Sequence, residues 1–244
     1  MTRPSYSLFD VVVAQTALVT PHMKRITIDG SCLSPFRDGL PTQWLKVFVP
    51  GTSTGRAYTV RRFDPVSKKL DLDFVLHGDN GPASAWAARV KPGDTFKISG
   101  THPRSGFAVE PGIAHYLLFG DETALPAIAG ILEALPAQAQ ADVYLEVADA
   151  GEEQVIESAA AVNLIWLHRK PDMVDGTSSR LVDAASAIAR PYQNTTIWIA
   201  AESSVVAALR RLAISEWGAD RSRLHAAGYW KRGEAHHRDN EAVP

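Results

Sequence analysis

The chain has 244 residues, 45% hydrophobic and 21% charged, with a net charge of −2. This is the balance of a soluble folded chain, large enough for one big domain or two ordinary ones, and it excludes the disordered and membrane-spanning classes. Its one cysteine, Cys32, excludes an internal disulfide, a multi-cysteine zinc site and a cysteine-ligated iron–sulfur cluster. The charge is unevenly spread. Residues 1–110 carry 14 Lys and Arg against 9 Asp and Glu, whereas residues 111–244 carry 11 against 18. A basic first half suits an anionic ligand, but it lacks the dense basic stripe of a nucleic-acid binder. Asp10, Gln15 and Thr16 interrupt the N-terminal apolar residues, so no signal peptide or membrane span is expected and a cytoplasmic location follows as the expectation.

Residues 1–110 read as an antiparallel β-barrel domain. Leu8 to Leu18 is rich in Val and ends at Thr20-Pro21, and Met23 to Ile28 alternates apolar and polar up to Asp29-Gly30. In Trp44 to Val49, alternation puts Leu45, Val47 and Val49 on one face and Trp44, Lys46 and Phe48 on the other. Arg56 to Arg62 follows as a strand with Arg56, Tyr58 and Val60 on one face and Ala57, Thr59 and Arg61 on the other. Leu70 to His77 and Thr95 to Ser99 complete about six short strands punctuated by Gly and Pro, the pattern of a closed antiparallel sheet.

One helix interrupts the barrel. After His77-Gly78, the run Gly81-Pro82-Ala83-Ser84-Ala85-Trp86 opens an Ala-rich helix, with Pro82 acceptable in its first turn. Free N–H groups of Ala83, Ser84 and Ala85 at that start would meet the requirement for holding a phosphate.

Residues 111–233 change to strands alternating with helices, which predicts a parallel α/β sheet domain binding ligand at the carboxyl ends of its strands. The expected strands are 115–119, 142–147, 162–167, 195–200 and 224–228, and the expected helices run from Thr123, from Ser178 and from Ser203. Gly120-Asp121-Glu122-Thr123-Ala124-Leu125-Pro126 has one Gly where a dinucleotide fingerprint needs three; Thr123 reads as a cap or a ligand hydroxyl. Ala201-Glu202-Ser203-Ser204 repeats the arrangement, with Ser203 or Ser204 as cap or ligand group. Residues 234–244 read as a mobile polar tail, whose His236-His237 pair is solvated rather than a metal site.

An Arg-x-Tyr-Thr strand, a Gly-Pro-Ala-Ser helix start and a following α/β domain resemble the ferredoxin-reductase architecture. Within it the chain is similar to the siderophore-interacting protein family, the FAD-dependent ferric-siderophore reductases. The matching segments are 56–61, 73–78, 81–87, 120–128, 166–169 and 228–233, in family order over nearly the whole chain. The resemblance implies an FAD site in the barrel: Tyr58 against the isoalloxazine, Thr59 near its reactive nitrogen, Arg56 on the pyrophosphate, with Val60, Arg61, Val75, Leu76, His77, Gly78, Gly81, Pro82, Ala83 and Ser84 completing it. Tyr229 and Trp230 match a C-terminal aromatic near the flavin's other face. Gly120, Asp121, Glu122, Thr123, Ala124, Pro126, Ala201 and Glu202 would line the NAD(P)H side. Because alternation separates Thr59 from Arg56 and Tyr58, one ligand meets all three only along a strand end or edge.

The activity so implied passes electrons from NADPH or NADH through FAD to Fe(III) in a siderophore, with no protein ligand to a metal. Lys46, Arg61, Arg104, Lys231 and Arg232 are candidates for meeting an anionic ferric siderophore. Glu146 at the second strand of the α/β domain leans toward NADH, while Arg169, Arg210 and Arg211 could meet the 2′-phosphate of NADPH. Ferredoxin is an alternative donor; a flavin reductase and a siderophore-binding protein without catalysis are alternative functions.

Overall fold

The computed structural model describes residues 7–29, 39–78, 81–103, 105–169, 178, 180–189, 191 and 194–234. Cys32, Arg104, the His236-His237 pair and the tail beyond Glu234 lie outside the described residues. The chain divides into two compact units, Met1–Ala108 and Val109–Pro244.

The first unit is a closed antiparallel barrel of six strands: β1 (Leu8–Thr20), β2 (Met23–Asp29), β3 (Trp44–Phe48), β4 (Arg56–Asp64), β5 (Lys69–Val75) and β6 (Thr95–Ser99). Their order around the barrel is β1-β2-β5-β4-β3-β6. Closure removes every free edge, so alternation along each strand divides side chains between the packed interior and the outside. Val11, Val13, Ile26, Ile28, Leu45, Val47, Leu70, Leu72, Phe74, Phe96 and Ile98 fill the inside. Helix α1 (Pro82–Arg89) adds Ala83 and Ala87 to that core and packs Trp86 against it, and Val90 just beyond it joins them. Asp73, facing away from the core, is buried by a bidentate pair with Arg25 at 2.7 and 2.8 Å, which ties β2 to β5.

The second unit is a five-stranded sheet in which every pairing is parallel, ordered β11-β10-β7-β8-β9. The strands are β7 (His115–Asp121), β8 (Gln140–Val147), β9 (Ala161–His168), β10 (Thr195–Glu202) and β11 (Leu224–Trp230), with helices α2 (Leu125–Ala134), α3 (Arg180–Ser186) and α4 (Ser203–Ser215). All seven residues of β7 are buried, as a central strand covered on both faces requires. Leu117, Phe119, Ile197, Ile199 and Ala201 pack with α3 and α4. Gly120 points the other way, where a Cβ would stand 2.7 Å from Ile128 and 2.8 Å from Ala124, so its absence lets α2 cross close above the strand. The chain runs from β7 outward through β8 to β9, then returns to β10 on the other side. The strand order therefore reverses between β7 and β10, where an α/β sheet opens its binding crevice. At the opposite, amino edge His115 bridges Thr195 (3.1 Å) and Asp142 (2.9 Å), stapling three strands together.

Candidate functional site

In the barrel, register decides which way the Arg-x-Tyr-Thr strand faces. Tyr58 stands opposite Leu45 and Arg56 opposite Val47, both buried core residues, while Thr59 stands opposite Trp44 on the outer side. The expected separation of Thr59 from Arg56 and Tyr58 is thus present; residues 56–59 pair with β3 alone, and β5 joins β4 only from Val60 onward, so the side of this stretch turned toward β5 carries no strand pairing. Alternation fails one step later. A bulge between Val60 and Arg62 makes Arg61 an extra residue and turns Phe63 inward onto the core, so Arg61 is not a simple continuation of the Thr59 face. Gly55, just before the strand, is required by packing: a Cβ there would meet the Phe48 ring at 2.5 Å.

Tyr58 is half-buried, with its ring 4.1 Å from that of Phe74. Phe74 meets Trp86 of α1 edge-on at 5.9 Å, and Trp86 meets Phe96 at 4.8 Å. This aromatic chain couples the β4 platform to the helix that carries Gly81 to Ser84. Burial pushes the Tyr58 phenol well above its ordinary range, against the opposing effect of the Arg56 guanidinium beside it, so the ring stays neutral.

The helix start is held open from within. The Ser84 hydroxyl is buried; it accepts the His77 N–H and donates to the Gly78 carbonyl, both at 3.0 Å. The Ser84 side chain thereby ties His77 and Gly78 to the helix start as a brace, while its backbone N–H is the group the sequence offers to a phosphate. Gly78 takes a φ of +76°, where a side chain would be strained. Gly81 extends into the helix with no side-chain cap. The Ala85 N–H is bonded to the Gly81 carbonyl at 2.9 Å, which removes it from the expected free donors and leaves those of Ala83 and Ser84 as candidates. A flat neutral ring, an adjacent guanidinium, and an uncapped helix start fit the aromatic and pyrophosphate parts of a flavin dinucleotide. Ala83 itself is core; Val75 and Leu76 are half-buried, and Pro82, His77 and Gly78 are exposed around that start.

In the second unit the predicted nicotinamide-side residues divide. Asp121, Ala201 and Glu202 line a small recess at the carboxyl edge with Glu146, Arg169 and Trp230. Ala124 and Pro126 are packed in the core, and Gly120 serves helix packing. Thr123 does not cap α2, which begins two residues later behind Ala124; its N–H and hydroxyl instead donate to Asp121 Oδ1. Nor do Ser203 or Ser204 cap α4. The Glu202 carboxylate does so, accepting the N–H groups of Ser204 (2.6 Å) and Val205 (3.3 Å), while the Ser203 hydroxyl donates to the Trp230 carbonyl at 3.0 Å.

The charges here are mostly acidic and internally balanced. Arg169 forms a bidentate pair with Glu122 and approaches Glu146 at 3.7 Å, and its side chain is only 8% exposed. It is therefore committed, and a 2′-phosphate finds no free guanidinium there. Glu146 is buried within β8 and pushed up chiefly by that burial, so it is no exposed ribose ligand. Arg210 and Arg211 are exposed on α4. Burial, then the charge of Glu122, raises Asp121 to about 7 against the hydrogen bonds from Thr123 and Trp230. Burial also acts to raise Glu202, but hydrogen bonds from Ser204, Val205 and the Arg232 N–H outweigh it and hold that carboxyl below its ordinary value.

Tyr229 and Trp230 do not form a single aromatic wall. Trp230 donates its indole N–H to Asp121 Oδ2 at 2.8 Å, whereas Tyr229, on the other face of β11, packs edge-on against Trp198 at 6.2 Å. Lys231 pairs with Glu234, Arg232 is exposed, and Lys46 is half-buried beside Trp44 in the barrel unit. Sequence reasoning missed Gly55, Phe74 and Trp86 as supports and Ser178 as a wall of the recess. A Gly before a predicted strand was the one available signal.

Residues 113–233 match the family model described as siderophore-interacting protein, and residues 52–105 match the siderophore-interacting FAD-binding domain. The chain is similar to the ferric vibriobactin reductase ViuB of Vibrio cholerae, 29% identical over 249 residues that cover 92% of this chain and 91% of ViuB. It is also similar to the mycobactin import ATP-binding/permease protein IrtA of Mycolicibacterium smegmatis, 34% identical over 232 residues, 91% of this chain but 26% of IrtA. Among solved structures, a siderophore utilization protein from T. fusca superposes with a TM-score of 0.86 at 32% identity, covering 94% of each chain. A ferredoxin-NADP+ reductase from Plasmodium falciparum shares the fold, with a TM-score of 0.74 at 13% identity over 91% of this chain and 96% of that one.

Proposed function

The chain belongs to the siderophore-interacting protein family, and from that premise we propose that it is a cytoplasmic FAD-dependent oxidoreductase that reduces Fe(III) in a siderophore with electrons from NADH or NADPH. The observation that carries this reading is the barrel's pairing of a Tyr58 ring seated on Phe74 with Arg56 beside it and the braced helix start at Gly81. Those residues fall inside the segment that matches the siderophore-interacting FAD-binding domain.

In this reading Tyr58 and Val60 offer the apolar platform for a flat ring, with Thr59 and Arg61 nearby on β4. Arg56 and the N–H groups of Ala83 and Ser84 would hold a pyrophosphate, through a guanidinium that needs no proton exchange and the unpaired first-turn donors that a helix start provides. The backbone from Val75 to Gly78 borders that site, and Ser84 keeps it in shape. When bound, FAD supplies the chemistry that accepts an electron pair from a reduced nicotinamide and delivers single electrons to Fe(III). The iron is substrate: as Fe(II) it is held more weakly by hard oxygen ligands, which releases it. A pyridine nucleotide would use the carboxyl edge of the second unit around Asp121, Glu122, Thr123, Ala201 and Glu202. Lys46, Arg61, Lys231 and Arg232 are the candidate cations among the described residues for an anionic siderophore; the Lys231 charge is partly answered by Glu234.

Anaerobic stopped-flow mixing of the FAD-loaded protein with NADH, and separately NADPH, tests the donor. Bleaching of the flavin absorbance by either supports the reading. A flavin bleached by dithionite but by neither nucleotide removes the pyridine-nucleotide half, and bleaching by reduced ferredoxin would then support ferredoxin as donor.

A further inference from the structure

The carboxylate of Asp121 gathers donors from three strand ends. Oδ1 accepts the Thr123 N–H (2.9 Å) and hydroxyl beyond β7; Oδ2 accepts the Glu202 N–H (3.1 Å) from β10 and the Trp230 indole N–H (2.8 Å) from β11. Asp121 is 6% exposed. The main chain of Trp230 is fixed by other means, through its pairing with Glu202 and the Ser203 hydroxyl on its carbonyl. What Asp121 adds is a hold on the indole itself, and Asp121, Glu202 and Trp230 all line the recess.

We propose that Asp121 is the positioning residue of this recess: its ionised carboxylate locks the Trp230 indole to the Glu202 turn, and protonation releases the indole, so that the recess changes shape with the charge of one buried acid. A second part, that affinity for a reduced pyridine nucleotide follows that shape, rests on the donor reading above; the lock does not.

Among the described residues, the groups around Asp121 bear on its charge. Glu122 adjoins it, Glu202 faces it from β10, and Glu146 with Arg169 enters from β8 and the segment after β9. Arg169 is answered by Glu122 and Glu146, and α3 and α4 contribute Leu181 and Val205, which carry no charge. Beyond Trp230, Lys231 is paired with Glu234, and Arg232 presents its backbone N–H to Glu202. The hydrogen bonds from Thr123 and Trp230 favour the carboxylate, while burial and Glu122 oppose it and bring the group to about 7. The two forms are thus near balance at neutral pH.

The test isolates Trp230 among the six tryptophans as the fluorescence difference between the wild type and Trp230→Phe. That difference is expected to titrate with a midpoint near 7. It should not titrate in Asp121→Asn, whose amide offers one oxygen where both sides of the carboxylate face donors. Over the same pH range, KM for the nucleotide that reduces the flavin should change about tenfold, the worth of one hydrogen bond to a charged group, with a smaller change in kcat. Trp230→Phe, which keeps an aromatic side chain but loses the indole N–H together with part of the ring's bulk, should flatten that KM profile. A Trp230 signal that titrates equally in Asp121→Asn overturns the lock. Should that variant not fold, a wild-type Trp230 signal with no midpoint near 7 does the same, while an unflattened KM profile in Trp230→Phe overturns the link to affinity. A titrating signal with a flat wild-type KM overturns the link to affinity alone, whereas a titrating signal with no reduction by either nucleotide sinks the donor reading and leaves the lock standing.

Discussion

Arg56 and Tyr58 share the barrel-facing side of β4, each opposite a core residue of β3, and the packing that orients them is independent of any ligand. Replacing Arg56 with Ala should leave this packing intact and weaken FAD binding by about 10- to 100-fold, the range for losing charge-assisted hydrogen bonds to a phosphate. Titration of the apo-protein by flavin fluorescence quenching checks this, and unchanged affinity would remove Arg56 from the site. Asp121 carries a second prediction at this scale. Its carboxyl lies near 3.9 in an unfolded chain and is raised to about 7 in the fold, so below the lower value both states are protonated and the group has no effect. As pH rises from about 4 to about 7 the unfolded chain ionises first, and stability falls until the folded group ionises too. Urea denaturation across that window should show a decline in the wild type that is shallower in Asp121→Asn; equal slopes would contradict the buried charge. Alternation made Arg56 and Tyr58 legible in the sequence. Arg61 was not, since a bulge is one extra residue with no composition of its own, and Glu202 was passed over as a cap because Ser and Thr lead among capping residues.

The loop from His77 into α1 is the element on which the proposed flavin site depends. Ser84 closes it through two hydrogen bonds, and Gly78 makes it possible with a left-handed backbone. Ser84→Ala should cost about 1 kcal/mol of stability, because His77 is exposed and water can take over its N–H, yet it should loosen the helix start and speed FAD dissociation. Gly78→Ala should cost about 1–2 kcal/mol through backbone strain. Thermal unfolding with and without FAD distinguishes the two effects: a cofactor-dependent gain in Tm as large as in the wild type would show that the brace does not serve the cofactor. The helix and its Pro82 start were legible from Gly-Pro-Ala-Ser, but the brace was not, because a hydroxyl reaching back six and seven residues leaves no periodic trace. Likewise Thr123 stood where a cap belongs, and only the Asp121 side chain shows why the helix begins later.

At the scale of the whole molecule, turn punctuation and strand spacing foretold a barrel, and strand-helix alternation foretold a parallel sheet; both are present. The order β11-β10-β7-β8-β9 was not readable, since alternation fixes that strands are parallel but not which are neighbours. That order matters for function: it brings Asp121 and Glu202, 81 positions apart, to the reversal point of one sheet. The basic first half of the chain holds the Arg56 and Gly81 segments, in keeping with an anionic cofactor there, while the acidic second half leaves the recess with carboxylates outnumbering its one arginine. A reduced nucleotide entering that recess would meet this charge, so its KM should fall as salt rises from low ionic strength; steady-state assays over a salt series check the sign.

The measurement that reaches the central claim most directly is anaerobic visible spectroscopy of the FAD-loaded protein, reduced by one equivalent of its effective donor and then mixed with a ferric siderophore in the presence of a ferrous-specific chelator. The flavin absorbance is expected to return as the ferrous chelate appears, two irons for each flavin. A reduced flavin that persists beside an intact ferric complex, on protein that demonstrably binds that siderophore, would contradict it.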